Sequence, residues 1–437
     1  MGTLPAGPSE SPVAQTMRWV FRPVAFMEDA RRRYGDAFSV RFVGFESPMV
    51  MLSDPESVRA LYTGRGHGLP PGRSFALGPL LGPRSVLLLE GSEHLERRRL
   101  MLPAFHGERM RAYESLMREA TEREIERWPV GEPFALHPHM QAITLEVILR
   151  AVFGVSDEER RDRLRALLRD LLDATAAPGL QLGVLAARRL GTQGPLARFV
   201  ALRQGVDDVL QEEVAERRAD PLVADREDIL SQLVAARFED GTAMDDAEVR
   251  DQLLTLLVAG HETTATALAW TFDLLLHNPA TLARLQGELA QGDEEYLRAV
   301  VSESLRVRPV VPLAGRRLAS ELPVGDHVLP AGTDVTPAIW LTNTRPDIYP
   351  EPYAFRPERF LENPPATYSW IPFGGGSRRC LGASFAEFEM RVVLATVLER
   401  CTLAAADPRP EHAARRNVTL APRHGTRVVV QAAPSAG

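Results

Sequence analysis

The stretch Phe373-Gly374-Gly375-Gly376-Ser377-Arg378-Arg379-Cys380-Leu381-Gly382 is the most informative part of this chain. Its three consecutive glycines allow backbone conformations that other residues avoid, so the chain can pass close to a bulky flat group. An apolar-periodic segment, Ala383–Arg400, follows and predicts a helix whose N-terminus faces Cys380. The helix dipole and the neighbouring Arg378 and Arg379 favour the thiolate form of the cysteine. The stretch therefore predicts that Cys380 is a metal ligand.

Length and composition limit what kind of protein this is. The chain has 437 residues and no Gly/Ser-rich linker or repeat, which predicts one domain over residues 1–437 with a flexible segment at 1–15. A net charge of -7 argues against a nucleic-acid-binding protein. The two cysteines, Cys380 and Cys401, cannot build a disulfide framework, which favours a cytoplasmic location. Residues 1–12 show neither a signal peptide nor a membrane anchor.

A lone cysteine in a Gly-rich turn is more often a buried free thiol than a ligand, but the ten-residue context favours the ligand. The stretch closely resembles the heme-binding loop of the cytochrome P-450 family, whose pattern is Phe, two residues, Gly, one, Arg, one, Cys, one, Gly. The positions are filled by Phe373, Gly376, Arg378, Cys380 and Gly382. The resemblance implies a mainly α fold, a long-helix bundle that encloses heme b (iron protoporphyrin IX) with small β sheets, and Cys380 as the axial iron ligand.

The longest predicted helix carries polar residues in an apolar setting. Asp245 and Glu248 form a plausible capping pair, and the helix ends at about His277, before Pro279. Its leucine-rich surface is apolar nearly all round, which predicts that the helix is buried. Within it lies the segment Ala259-Gly260-His261-Glu262-Thr263-Thr264. Burial of an unpaired carboxylate raises its pKa, and a carboxyl group beside an alcohol can relay protons.

This segment resembles the acid-alcohol pair that the family places above the heme. The resemblance implies that Glu262 and Thr263 are catalytic, as proton donor and alcohol, and that Gly260 lets oxygen approach the backbone. The competing interpretation is a metal site made by His261 and Glu262. Neighbouring helical residues point about 100° apart, and no second histidine follows at the usual spacing, so this alternative is disfavoured.

His94 and Arg98 stand four residues apart and share one face of a predicted helix. By the resemblance, both residues bind a heme propionate. The resemblance also implies that Phe373, Arg378 and Gly382 of the cysteine loop are cofactor-binding residues. The alternative is a solvated basic face, since Arg97 and Arg99 flank them.

Arg316 is similar in placement to the family's second propionate-binding arginine, and Arg317 is its obvious rival. The same resemblance implies that Val311 and Leu313 face the substrate, with Leu81 and Ala259 as further pocket residues.

Glu303 and Arg306 lie three apart on a predicted helix and can pair locally. The family has a characteristic Glu, two residues, Arg motif that is joined by a later arginine, and Arg359 in Phe355–Phe360 fills that place. These three residues are expected to give structural support beneath the heme.

The presumed pocket segments 69–89, 174–190 and 310–314 are largely apolar, which favours a lipophilic substrate. A terpenoid or steroid is favoured, with a fatty acid or polyketide as further possibilities. Segment 174–190 resembles the family's lid region, although by itself it is equally an interhelical hairpin.

The resemblance implies a monooxygenase that activates O2 and hydroxylates its substrate. No flavin or iron-sulfur domain is recognised, so electrons are expected from a separate ferredoxin with its ferredoxin reductase. Arg97, Arg99 and Arg379 are candidates for the docking face, and the protein is expected to be a monomer. Two alternatives stay open: a heme-thiolate peroxygenase or isomerase/dehydratase that needs no electron donor, and a non-catalytic heme-binding sensor. The intact pair Glu262-Thr263 speaks against the first.

Overall fold

Helices dominate the fold. The computed structural model describes residues 4–64, 78–105, 109–154, 158–176, 194–416 and 418–432. The helices of this part are α1 Pro12–Phe21, α2 Pro23–Tyr34, α3 Pro55–Thr63, α4 Gly78–Leu81, α5 Gly91–Met101, α6 Arg109–Ile125, α7 His137–Phe153, α8 Glu158–Ala176, α9 Gly194–Ala219, α10 Ile229–Ala235, α11 Asp246–Leu276, α12 Pro279–Leu289, α13 Glu295–Val307, α14 Ile339–Asn343, α15 Arg359–Glu362 and α16 Ala383–Arg400.

Four small sheets lie beside the helices. Their strands are β1 Ala37–Val40, β2 Met49–Leu52, β3 Phe134–Ala135, β4 Arg316–Arg317, β5 Leu322–Val324, β6 His327–Leu329, β7 Asp334–Pro337, β8 Thr402–Ala405, β9 Ala413–Arg416, β10 Thr419–Pro422 and β11 Arg427–Ala432. The largest sheet has the order β1-β2-β7-β4, and only its β2-β7 pair is parallel. The other sheets are β3-β11-β8, β9-β10 and β5-β6.

Helix α11 lies at the centre of the main hydrophobic core and packs against α7 along much of its length. As predicted, the side chain of Asp245 caps it by accepting a hydrogen bond of 2.9 Å from the backbone N–H of Glu248. Most of its residues are buried, and it ends at Leu276, where the predicted end was His277. Because nearly the whole surface of the helix is buried, an accessible residue along it helps to locate a candidate site.

The N-terminal region begins with two successive helices. Arg22 leaves the helical conformation, so α1 ends at Phe21 and Pro23 begins α2. The described residues from 4 onward are hydrogen-bonded to the rest of the region, and flexibility of the segment 1–15 stays a prediction. The backbone N–H of Ser39 donates to the carbonyl of Ala6, and the buried amide of Gln15 donates to two carbonyls of the same segment.

Parts of two predicted pocket segments, 69–77 and 177–190, lie outside the described residues. Among the helices that the structure describes, none combines the length and apolar character needed to cross a bilayer.

Candidate functional site

The cysteine loop is a tight turn built on glycine. The backbone N–H of Cys380 donates to the carbonyl of Phe373 over 2.9 Å, which closes the loop. Gly374 and Gly376 have φ angles of +68° and +61°, a region that favours glycine. A Cβ atom at Gly376 would also lie 2.6 Å from the carbonyl oxygen of Tyr62. The glycines are therefore required both by the backbone conformation and by the close approach of α3.

The thiol of Cys380 is accessible to solvent, yet protein atoms surround it closely enough that burial raises its pKa. The backbone N–H of Gly382 and the positive charges of Arg98 and Arg379 act in the opposite direction but do not outweigh burial. The sequence-based expectation of a favoured thiolate is therefore wrong for the protein alone. A bound metal ion removes the proton from a coordinating thiol, so the site still suits a metal ligand.

Three partly buried arginines, Arg98, Arg316 and Arg378, and the neutral imidazole of His94 form what we call the cation cluster. They come from α5, from β4 and from the cysteine loop. Within the described residues, none of the four lies within 4.0 Å of a carboxylate. Arg378 instead donates to the backbone carbonyls of Val86 (3.3 Å) and Leu89 (2.5 Å).

The electrostatics of the cation cluster point to a missing anion. Burial lowers the pKa of His94 to about 4 and the pKa of Arg378 to about 10, and the like charges of the other members lower both further. Burial also lowers the pKa of Arg316, whose Nε finds no hydrogen-bond partner among the described residues. Buried cations without a counter-charge are costly. The cluster therefore fits a group that carries two carboxylates, as heme does.

Gly382 gives a second test of whether the cysteine loop suits a flat cofactor. Its φ angle of −91° suits any residue, and a Cβ atom added to it would meet no atom of the described residues within 4 Å. The described part of the chain thus gives no reason for glycine two residues after Cys380, whereas a flat cofactor against the loop would. The ring of Phe373, at the start of the loop, is held edge-on by Trp370 at 6.2 Å.

Two other arginines considered in the sequence analysis, Arg317 and Arg97, form ion pairs with protein carboxylates. Arg317 is half-exposed and its Nε pairs with Asp334 at 3.2 Å, because neighbouring residues of strand β4 point to opposite faces. Arg97 binds the buried carboxylate of Glu248 at 2.6 Å. The alternative of a simple solvated basic face on α5 is thereby disfavoured.

The middle of α11 is accessible to solvent on one side. Ala259 is exposed and Thr263 is partly exposed, although the helix around them is buried. The hydroxyl of Thr263 donates to the carbonyl of Ala259 over 2.8 Å, and the neighbouring Thr264 makes the same kind of bond to Gly260 over 3.0 Å. A Cβ atom at Gly260 would lie 3.3 Å from Ile148 of α7. This glycine therefore permits close helix packing, and the approach of oxygen at Gly260 stays a prediction.

The carboxylate of Glu262 is held by side chains from three other positions. Gln141 donates to its Oε2 over 2.5 Å, and Nε of Arg416 lies 3.3 Å from its Oε1. His137 lies 3.9 Å from the same oxygen and forms a 3.1 Å hydrogen bond with Thr266. Because burial lowers the pKa of His137 to about 4, this imidazole is neutral at pH 7. The carboxylate is paired, so the expectation of an unpaired one is wrong.

The structure brings the three predicted support residues together. Arg306 makes two hydrogen bonds of 2.6 and 2.7 Å to Glu303, and both side chains are 0% exposed. Nε of Arg359 lies 3.4 Å from Oε1 of Glu303. Arg306 also donates to the carbonyls of Asn343 and Pro352. The group therefore ties α13 to the chain that leads to the cysteine loop.

The predicted pocket residues fall into two classes. Ala259, Val311 and Leu313 are partly or fully accessible, whereas Leu81 is 1% exposed and packs in the main core. Leu81 is therefore not an accessible lining residue, because the turn after α4 is fastened to α11. One of these fastening bonds runs from the backbone N–H of Val86 to the side chain of Gln252 over 2.9 Å.

Sequence reasoning missed the residues that position Glu262, namely Gln141, His137 and Arg416. The only local signal was a pair of polar residues, His137 and Gln141, spaced four apart at the start of an apolar helix. Among the described residues, no group of three or more His, Cys, Asp or Glu side chains could hold a metal ion, so the alternative centred on His261 gains no support.

A cysteine loop, a partly buried cation cluster and an accessible point on a buried helix are features that suit a protein holding a flat cofactor with two carboxylates. Comparison with known proteins agrees. The family model described as Cytochrome P450 matches residues 5–427. The chain is 40% identical over 400 residues to cytochrome P450 137 of Mycobacterium tuberculosis, covering 91% of this chain and 83% of that protein. It is 37% identical over 422 residues to cytochrome P450 138 of Mycobacterium bovis, covering 94% of each.

Solved structures show the same fold. A cyanobacterial protein, CYP120A1 with retinoic acid bound, superposes with a TM-score of 0.86 at 23% identity, over 98% of this chain and 99% of that one. The cytochrome P450DA heme domain gives a TM-score of 0.85 at 20% identity, over 99% and 98%. The chain belongs to the cytochrome P450 family. The predicted mainly α fold, the heme cofactor and the monooxygenase class of enzyme are thereby confirmed.

Proposed function

We propose that this enzyme hydroxylates a lipophilic small molecule, with a terpenoid or steroid as the favoured substrate class, and that Cys380 is its axial iron ligand. The observation that carries the site assignment is the partly buried cation cluster, which has no carboxylate within 4.0 Å among the described residues, beside a loop with a single cysteine. Arg98 and His94 would hold one heme carboxylate, and Arg316 the other. Bound heme-thiolate supplies oxygen activation and the oxidation of the substrate carbon.

The protein's own contribution is to position groups and to move protons. The carboxylate of Glu262 would take up a proton from solvent water and pass it toward the hydroxyl of Thr263, the next residue along α11. The bond from Thr263 to the carbonyl of Ala259 uses the hydroxyl hydrogen, which leaves the oxygen able to accept from a proton donor. Gln141 and Arg416 would keep the carboxylate of Glu262 in place between turnovers.

The substrate class is inferred from the accessible apolar residues near the middle of α11. Ala259 lies on α11, while Val311 and Leu313 lie on the segment before β4, and all three are accessible to some degree. Apolar lining of this kind favours ligands that bury hydrocarbon surface. A fatty acid or polyketide is the next choice, since the buried arginines of the site are assigned to the cofactor.

Electrons are proposed to come from a ferredoxin with its reductase, and the cytoplasm is the proposed compartment because the chain has only two cysteines. Of the three arginines predicted for docking, Arg379 is exposed. Arg97 pairs with Glu248, and Arg99 pairs with Glu239 at 3.0 Å. Arg379 is therefore the strongest of the three candidates for contact with an acidic partner.

The test is a spectral titration of the ferric enzyme with terpenoids, steroids, fatty acids and polyketides, followed by turnover of each binder. We expect a Soret shift with a terpenoid or steroid, and hydroxylated product when ferredoxin, reductase and O2 are present. Product formation with peroxide alone would instead support a peroxygenase, and binding without any turnover would support a sensor.

A further inference from the structure

Tyr62, in the last turn of α3, has a hydroxyl group that the protein does not satisfy. The residue is 8% exposed, and its hydroxyl oxygen has no hydrogen-bond partner among the described residues. Buried tyrosine hydroxyls usually find a partner, because losing hydration without replacing it is costly. The hydroxyl is therefore available to a bound group.

Two features fix the position of this hydroxyl. A Cβ atom at Gly375 would lie 2.8 Å from the ring of Tyr62, and one at Gly374 would lie 3.5 Å from its hydroxyl oxygen. The side chain thus runs along the glycines that lead to Cys380. Burial raises the pKa of Tyr62, and the positive charge of Arg316 opposes this effect.

Arg316 has the same unsatisfied character. One of its terminal nitrogens donates to the carbonyl of Gly315 over 2.7 Å, but its buried Nε has no partner among the described residues. The phenol hydroxyl of Tyr62 and Nε of Arg316 are therefore two buried donors, and neither has an acceptor among the described residues. A carboxylate accepts several hydrogen bonds and brings the negative charge that Arg316 lacks.

We infer that the hydroxyl of Tyr62 and the guanidinium of Arg316 together bind one carboxylate of the heme, which makes Tyr62 a cofactor-binding residue. The inference rests on the proposed function, in which Arg316 holds a heme carboxylate. Because the ring of Tyr62 also contacts Gly375, the same side chain links the edge of the cofactor to the loop that carries Cys380.

The variant Tyr62→Phe isolates the hydroxyl. It keeps the ring, and with it the packing on the glycines and the stacking on Tyr368, whose ring centroid lies 6.2 Å away. The matched control is Tyr368→Phe, which removes the hydroxyl of the stacking partner. If the role of Tyr62 were purely structural, the two variants would lose heme at similar rates.

The experiment follows heme transfer from the ferric holoenzyme to excess apomyoglobin. We expect Tyr62→Phe to lose heme about tenfold faster than the wild type, as for removal of a hydrogen bond to a charged group, and Tyr368→Phe to stay within about twofold. Resonance Raman bands of propionate bending should shift in Tyr62→Phe only. In an Arg316→Gln background, adding Tyr62→Phe should have a smaller effect, because the two donors share one acceptor.

Unchanged heme loss and unchanged propionate bands in Tyr62→Phe would overturn the inference. That result is distinguishable from failure of the proposed function. If the wild-type protein shows no thiolate-type spectrum with carbon monoxide, the assignment of Cys380 fails. If that spectrum is present and Tyr62→Phe behaves as the wild type, only the role of Tyr62 is lost.

Discussion

Nε of Arg416, in strand β9, lies 3.3 Å from the carboxylate Oε1 of Glu262, in the middle of α11. The other carboxylate oxygen accepts a 2.5 Å hydrogen bond from Gln141 of α7. The proposed proton donor is thus held from two sides by elements that are far apart in the sequence. Its position should depend on both partners as much as on its own helix.

We predict that Gln141→Leu and Arg416→Met each reduce the fraction of consumed electrons that appears in product, by about tenfold. Either change releases the carboxylate of Glu262 from the position that serves Thr263. The measurement is product formed per NADH oxidised, with peroxide release determined in parallel. Gln204→Leu, which removes an exposed 2.7 Å bond to Asp208, is the control and should couple normally. Normal coupling in both test variants would show that Glu262 needs neither partner.

Thr263→Ala should uncouple electron use from product formation by about tenfold or more, because it removes the hydroxyl assigned to proton delivery. Thr264→Ala is a close control, since this neighbouring threonine makes the same type of backbone hydrogen bond but is buried. Product yield per electron is compared in the two variants. If Thr263→Ala couples as well as Thr264→Ala does, Thr263 has no part in the mechanism.

Glu303→Gln should destabilise the protein by about 3–5 kcal/mol, because it leaves Arg306 and Arg359 without the carboxylate that both contact. The measurement is chemical unfolding of the holoenzyme, followed by the loss of its heme spectrum. Arg298→Ala breaks an exposed 3.6 Å pair with Glu294 and should change stability by less than about 1 kcal/mol. Equal effects of the two substitutions would contradict a supporting role for the buried group.

Glu389, on α16, should make stability fall as the pH rises. The side chain is 2% exposed, its Oε1 has no partner among the described residues, and burial raises its pKa well above 4.5. A raised folded-state pKa gives a contribution to stability that is complete below the unfolded pKa and is lost as the pH climbs toward the folded pKa. Glu389→Gln should therefore show a smaller loss of Tm than the wild type from about pH 5 to about pH 8.

The control for this comparison is Glu399→Gln, which removes a half-exposed carboxylate from the same helix and should alter the pH slope less. A wild-type slope that Glu389→Gln does not reduce would mean that Glu389 keeps its charge in the folded protein.

Local chemistry explains which parts of the fold the sequence predicted well. The cap of α11 by Asp245 depends on two residues that lie three positions apart, and the pair of Glu303 and Arg306 depends on one helical turn. The bounds of α16, Ala383–Arg400, follow from apolar periodicity and agree with the structure. Each of these features is decided within a few residues, so no knowledge of the tertiary fold is needed.

The remaining features depend on tertiary packing. Arg416 meets Glu262 only because β9 lies beside α11, and Tyr62 reaches the cysteine loop only because α3 packs against it. The thiol of Cys380 was expected to be acidic from its neighbours, but the pKa follows its burial, which sequence does not reveal. Arg97 appeared free for docking until its pairing with Glu248 was seen.

The central claim is that Cys380 binds the heme iron as a thiolate, and the carbon monoxide difference spectrum of the reduced enzyme tests it most directly. The account predicts the red-shifted Soret band of thiolate-ligated heme in the wild type, and its loss in Cys380→Ala. Cys401→Ala, which changes the other, buried cysteine, should keep the band. A red-shifted band that survives in Cys380→Ala would contradict the account.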